Sequence, residues 1–314
     1  MRRLIALRLA MSVVSLLLVA GFTFSLIRLS PADPVVLALG EGATAAQKQE
    51  LRRQLGLDRP LAVQFSSWIG GVLVGDFGQS IFTHRPVSQS ISDALPVTLS
   101  LVSGGIVLAV VIGITLGFIA GLRPGTWVDR LVTSGVSLAL AVPGFWLALL
   151  LGLWLAVTWR LFPVAGYTPL SENALHWTQG LVLPCLALSV HGAAVIGRHM
   201  RGVVIDVMDS PFVEAIRARG TPRSLIVKRY VLKNALVPLL PVIGIQAAVV
   251  LATSPVIEKV FVLPGVGTLM VNAVVSSDFM MLQGTILVFA TLLIIVNLLI
   301  DIGLGILDPR IRPQ

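Results

Sequence analysis

Ser210-Pro211-Phe212-Val213-Glu214-Ala215-Ile216-Arg217-Ala218-Arg219-Gly220-Thr221-Pro222 is a short basic segment between two long apolar runs. It reads as a compact helix with both ends marked. Ser210 is placed to cap the first N–H groups, and Pro211 at the first helical position forfeits no hydrogen bond. Gly220 suits a left-handed position just past the end, and Thr221-Pro222 predicts the cap and start of a second, basic helix over 224–234. Phe212, Ala215, Ile216 and Arg219 share one face by their spacing. A capped helix held outside the apolar runs points to a partner.

The runs on either side set the class. Hydrophobic residues make up 56% of the 314-residue chain and charged residues 12%, against about 25% charge in soluble proteins. The mean hydropathy is +0.93. Apolar stretches near the roughly 20 residues that span a bilayer lie at about 9–29, 96–121, 131–158, 181–200, 235–257 and 281–307. A bilayer interior offers backbone groups no water, so these runs predict helices. The fold class is therefore an all-α integral membrane protein with six transmembrane helices.

Charge sets the orientation. With the N-terminus inside, the inner segments hold about 15 basic residues, among them Arg2, Arg3, Arg123, Arg130, Arg217, Arg219, Arg223, Lys228 and Arg229. The outer segments hold about 8, most of them in one long loop, and together these are the 23 of the chain. The positive-inside rule thus predicts an N-in, C-in protein. The same bias accounts for the formal charge of +8. No aromatic-interleaved basic stripe accompanies it, so no nucleic-acid partner is expected. Arg2-Arg3 and the following apolar run resemble a signal sequence. The run continues to about Ile27 without a small-x-small site, which predicts a retained first helix.

The chain divides on this reading into 1–30 (cytoplasmic N-terminus and first helix), 31–95 (an extracytoplasmic excursion), 96–307 (a five-helix core carrying the capped helix at 211–220) and 308–314 (a cytoplasmic tail). Within the excursion, Thr44–Leu57 predicts a short exposed helix capped by Thr44 and ending near Gly56. Val63–Val74, with Trp68, predicts an amphipathic piece along the membrane surface. Gly113, Gly117 and Gly121 form overlapping GxxxG steps. Such steps either admit a neighbouring helix at close range or are simply tolerated in lipid. Pro143, Pro184, Pro238 and Pro241 interrupt later spans.

Catalytic signatures are missing: there is no GxxxxGK[ST] phosphate loop, HExxH, GxSxG or Cys/His ligand pattern. The single Cys185 falls inside a span and excludes an intramolecular disulfide. His191, near the middle of the fourth span, is a candidate pathway-lining group or a neutral imidazole bonded to an adjacent helix. Asn297 and Asp301 share a face of the last span. Asn297 is a second candidate for the path. Asp301 reads as a proton-coupling acid or as a structural partner near the cytoplasmic end. Glu214 and Arg217 are spaced for a surface ion pair.

Glu214-Ala215-Ile216-Arg217-Ala218-Arg219-Gly220 resembles the EAAxxxG signature of permease subunits of bacterial ABC importers. Glu214, Ala215 and Gly220 match its positions, Ile216 replaces its second alanine, and Lys233 stands where its proline would fall. Pro31-Ala32-Asp33-Pro34, Gly75-Asp76-Phe77-Gly78, Leu95-Pro96-Val97-Thr98-Leu99, Lys233-Asn234-Ala235-Leu236-Val237-Pro238, Phe261-Val262-Leu263-Pro264-Gly265-Val266-Gly267 and Leu307-Asp308-Pro309-Arg310-Ile311-Arg312 look like the dipeptide/oligopeptide/nickel branch of that family. That branch usually has Arg and Thr where this chain has Glu214 and Ala215.

The resemblance implies a type I importer fold in a bacterial cytoplasmic membrane. It implies a second homologous permease, two ATPase subunits and an extracytoplasmic substrate-binding protein as partners beside membrane lipid. Phe212, Glu214, Ala215, Arg217, Arg219 and Gly220 would form the ATPase-coupling surface. The chain would hold no cofactor, ATP and Mg belonging to the ATPase subunits, and would be no enzyme. Di- or oligopeptides are the implied cargo, with nickel or a metal chelate as the alternative within the branch. A proton-coupled carrier built on Asp301 and His191 is the alternative from another class.

Overall fold

The computed structural model describes residues 2–29, 34–40, 42–54 and 56–307. Residues 31–33 of the Pro31–Pro34 motif and the 308–314 tail lie outside the described residues. Apart from one isolated bridge between Gln79 and Pro86, the secondary structure of the described residues is helical. The helices are α1 (Arg2–Leu29), α2 (Pro34–Leu39), α3 (Ala45–Gln54), α4 (Leu61–Leu73), α5 (Val87–Gly121), α6 (Trp127–Ala141), α7 (Gly144–Leu151), α8 (Ala174–Met208), α9 (Pro211–Ala218), α10 (Arg223–Leu225), α11 (Leu232–Leu236), α12 (Leu240–Val260), α13 (Val266–Ser276) and α14 (Phe279–Leu307).

Five unbroken helical stretches are long and apolar enough to cross a membrane: Leu7–Ser25, Val87–Gly121, Ala174–Met208, Arg223–Val260 and Phe279–Gly303. The run expected as one span over 131–158 is a pair, Trp127–Ala141 and Gly144–Thr158, bent by 102°. Pro143 explains the bend. It has no N–H to continue the ladder and forces the residue before it out of helical conformation; Val142 is extended, with φ −87° and ψ 124°. The helix expected from residue 96 begins earlier, at Val87, and carries Pro96 inside it.

Residues cluster into two compact units. The first is built chiefly from Leu99–Leu263. Here α8 is the central post, packing against α6, α7, α11 and α12. Its contact with α5 follows one stripe. An added Cβ on Gly105 would stand 3.0 Å from Leu188, on Gly113 2.9 Å from Ile196, on Gly117 2.8 Å from Met200 and on Gly121 2.7 Å from Val204. At Gly117 it would also overlap the Gly197 carbonyl. Four-residue steps on α5 thus meet four-residue steps on α8 in ascending order, so the two helices run parallel with backbones nearly touching.

The second unit comprises Ala6–Thr98 and Pro264–Ile294. Val87, Ile91, Ala94, Val266, Ala273 and Met281 form its core, with Phe77 packed on it. Two motifs find their reasons here. Gly75 and Gly78 have φ of +85° and +82°, conformations that favour glycine, while Asp76 Oδ1 accepts from Gly78 N–H at 2.8 Å. The buried Thr98 Oγ1 accepts from Val266 N–H at 2.9 Å, joining two segments far apart in sequence. As expected, Thr44 caps α3: its Oγ1 accepts from Gln47 N–H while Gln47 Oε1 accepts from Thr44 N–H at 2.9 Å.

Candidate coupling site

Helix α9 forms as its end residues require. Ser210 Oγ accepts from Val213 N–H at 3.4 Å, and its hydroxyl donates to the Val207 carbonyl at 2.6 Å. Pro211 opens the helix, and Gly220, at φ +80°, turns the chain out of it. Thr221 does not cap the next helix. Pro222 occupies that position, extended at φ −66° and ψ 142°, and no side chain caps α10.

Val213 decides which face of α9 is held. It is fully buried in a cluster with Met200, Val204, Ile226, Val231, Ala235 and Leu239, and Ile216 packs beside it. Burial of a valine contributes about 1.5–3 kcal/mol. The face drawn from spacing alone therefore divides: Ile216 points inward with Val213, whereas Phe212, Ala215 and Arg219 are exposed. Glu214, Arg217, Ala218 and Gly220 are exposed with them. Phe212 is 52% exposed and rests its ring edge-on against Tyr230, centroids 5.8 Å apart. The ion pair that spacing allowed between Glu214 and Arg217 is not formed among the described residues; both side chains are left to the surface.

The segment is tied to the helices behind it. The chain passes from α8 into α9 through Asp209 and Ser210 alone. Arg223 Nη2 donates to the Leu122 carbonyl at 3.2 Å, binding the start of α10 to the end of α5. In the following turn, Arg201 on α8 donates twice to Asp129 on α6, Nε to Oδ1 at 2.5 Å and Nη2 to Oδ2 at 2.8 Å. Asp129 also accepts from Gly125 N–H at 2.9 Å. Helix α9 itself packs against α8 and the 226–231 segment, and the ties to α5 and α6 are made by Arg223 and Arg201. Asp129 was not singled out from the sequence, where the Thr126-x-x-Asp129 spacing of a helix start was the available sign; Thr126 does accept from Asp129 N–H.

The other sequence candidates separate. Gly113, Gly117 and Gly121 meet α8 as described above. His191 lines a cavity of about 430 Å³ between the Pro143 elbow, α8 and α12, with Leu188, Gly192, Val250 and Thr253 on its walls. The His191 side chain is exposed and its ring makes no hydrogen bond among the described residues, so no adjacent helix holds it. Asn297, exposed on α14, does not line that cavity.

Comparison with known proteins bears on the family and the fold. Residues 113–313 match the family described as the binding-protein-dependent transport system inner membrane component, and residues 1–102 match its N-terminal companion. A putative peptide transport system permease protein of Brucella abortus is 36% identical over 99% of both chains. A probable peptide ABC transporter permease of Sinorhizobium fredii is 36% identical over 97% of both. The glutathione transport system permease protein of Salmonella typhimurium is 35% identical over 95% of both. An inward-facing structure of the MetNI methionine ABC transporter matches 69% of this chain and 96% of its own at a TM-score of 0.57 and 18% identity, a likeness of fold. The chain belongs to the binding-protein-dependent inner-membrane permease family. It is a multi-pass permease subunit of an ABC importer, with the type I permease fold, and not a catalytic chain.

Proposed function

We propose that this chain is one half of the membrane path of an ATP-driven importer of short peptides, and that α9 is its docking helix for an ATPase subunit. The observation that carries the docking role is the division of α9. Val213 and Ile216 fasten it inward, while Phe212, Glu214, Ala215, Arg217 and Arg219 face out, Phe212 resting on Tyr230 and the others without a side-chain partner among the described residues. Arg223, Lys228 and Arg229 extend this exposed basic surface, so the receiving groove is expected to be acidic. Gly220 ends the helix in a conformation proline cannot take. The remaining partners on this reading are a second permease, a second ATPase subunit and an extracytoplasmic binding protein.

Six crossings with both termini in the cytoplasm complete the reading. Its support is the parallel packing of α5 and α8. If the bent pair between them entered and left the same side, α8 would return antiparallel to α5; parallel helices require the pair to carry the chain across. Residues 31–95 then lie outside and α9 inside. Peptide cargo is supported by the names of the Brucella and Sinorhizobium relatives. The cavity at His191 is the proposed path, as intramembrane polar groups favour water-lined or substrate-lined positions.

The test is purification of the tagged chain in mild detergent, followed by ATP-driven uptake in proteoliposomes. Co-purifying ATPases, with uptake lost in Glu214→Arg and Gly220→Pro while the variants remain inserted, support the docking helix. Normal uptake in both variants contradicts it.

A further inference from the structure

Between α10 and α11 the chain makes one wide turn. Over Ile226–Val231 the backbone is π-helical, and Leu232 N–H donates to the Val227 carbonyl, five residues back rather than four. Farther along, beside Pro238, Leu240 N–H donates to the Val237 carbonyl, three residues back. Two changes of pitch thus fall inside the single 38-residue stretch Arg223–Val260. In proteins π turns occur mostly as single-turn bulges within an α-helix, often at functional sites.

The buried side chains show what the wide turn does. Ile226, Val231, Ala235 and Leu239 all reach the cluster that holds Met200, Val204 and Val213. Val231, Ala235 and Leu239 stand four apart, a spacing that drifts only about 40° per step around an α-helix. Ile226 stands five before Val231, and an α-helix would carry it about 140° off that face. The π turn brings it back. In α-helical register the residue four before Val231 is Val227, again a branched apolar side chain. Val227 is half-buried, whereas Lys228 and Arg229 beyond it are exposed. The sequence therefore supplies an occupant for one slot in either register: Ile226 with the π turn, Val227 without it. They differ by one methylene.

The turn lies where α9 reaches it. Helix α9 packs against it, and Phe212 rests on Tyr230 inside it. Expelling the extra residue toward α10 moves Arg223 by one helical position, about 1.5 Å along the axis and 100° around it. That takes Arg223 from the Leu122 carbonyl, to which it donates at 3.2 Å. Two packings of one slot make a bistable element, the kind that turns a small displacement into a discrete change.

We propose that the 226–231 turn is a register switch. It exchanges between the π form with Ile226 in the slot and an α form with Val227 there, the extra residue passing into the turn at Gly220–Pro222. This rests on the docking-helix reading and adds the step by which ATP-driven movement of α9 becomes a discrete change in the helix leading into α12.

The experiment is maleimide labelling of Ile226→Cys and Val227→Cys, made separately, in the importer assembled with its ATPases in lipid nanodiscs. Rates are compared without nucleotide and with ATP plus vanadate. The native Cys185 is buried, and labelling is read on the tagged chain alone. The two rates should change in opposite senses, each at least fivefold, as one residue enters the slot and the other leaves it. Unchanged rates, or rates that rise or fall together, overturn the proposal. Should Ile226→Cys fold poorly, Val227→Asn decides. It leaves Ile226 in place, so the chain should keep its thermal midpoint and its ATPases. Its polar side chain opposes burial in the apolar slot, so uptake should fall at least tenfold; uptake at the parental rate overturns the proposal. Retained ATPases with unchanged labelling sink the register switch alone. Opposed labelling changes in an importer whose α9 cysteines crosslink to no ATPase sink the docking helix alone.

Discussion

Arg201 on α8 grips both carboxylate oxygens of Asp129 on α6, 72 residues away in sequence. Asp129 is almost fully buried, at 4% exposure, whereas the Arg201 side chain keeps 33% of its surface. Removing one partner of a buried pair leaves the other charge uncompensated, usually at about 3–5 kcal/mol; partial exposure of Arg201 brings the expectation to about 1–3 kcal/mol. Arg201→Met and Asp129→Asn should each lower the thermal midpoint of the detergent-solubilised chain. The double variant should fall short of the sum of the two, as expected for groups in direct contact. Strict additivity in this cycle would show that the pair does not couple.

Gly117 faces the Gly197 carbonyl so closely that even a methyl group must push the helices apart. Gly135, on α6, has open space around it. Gly117→Ala should therefore reduce the yield of monodisperse protein, and Gly135→Ala should leave the isolated chain unchanged. Size-exclusion profiles after graded heating make the comparison.

Anchor and docking face of α9 are separable. Val213→Asp places a charge in an apolar cluster and should cost the chain its own stability. Phe212→Ala removes a half-exposed ring that rests on Tyr230 and should weaken ATPase co-purification while the thermal midpoint stays within about 2 °C. The two readouts should move in opposite variants.

The His191 cavity gives a fourth expectation. Thr253→Trp adds a bulky ring to a wall of the roughly 430 Å³ space and should block uptake without releasing the ATPases. Uptake at the parental rate would remove this cavity from the path.

How much of this was legible in the sequence differs by residue. Ser210, Pro211 and Gly220 announced α9 because capping and left-handed turns are local events, written in the residues that make them. Thr44 did the same for α3. Which face of α9 is held was not local: Val213 is buried by side chains from α8 and the 226–239 segment, and its spacing to Ile216 was the one available sign. The stripe on α5 was readable at Gly113, Gly117 and Gly121, but Gly105 and Ala109 continue it. Their partners on α8 could be paired only once the helices were laid side by side. Pro143 marked a break, though not a 102° one, since a proline removes a ladder hydrogen bond without fixing the angle that follows.

The most direct test of the docking helix is site-specific crosslinking in the assembled importer. The native Cys185 is buried, at 5% exposure, so a cysteine introduced by Phe212→Cys or Arg217→Cys is the reactive one. Both should crosslink to an ATPase subunit through a short bifunctional reagent, and Ser66→Cys on α4 should not. Crosslinks to the ATPase from Ser66→Cys but from neither α9 position would contradict the assignment and place the docking surface elsewhere.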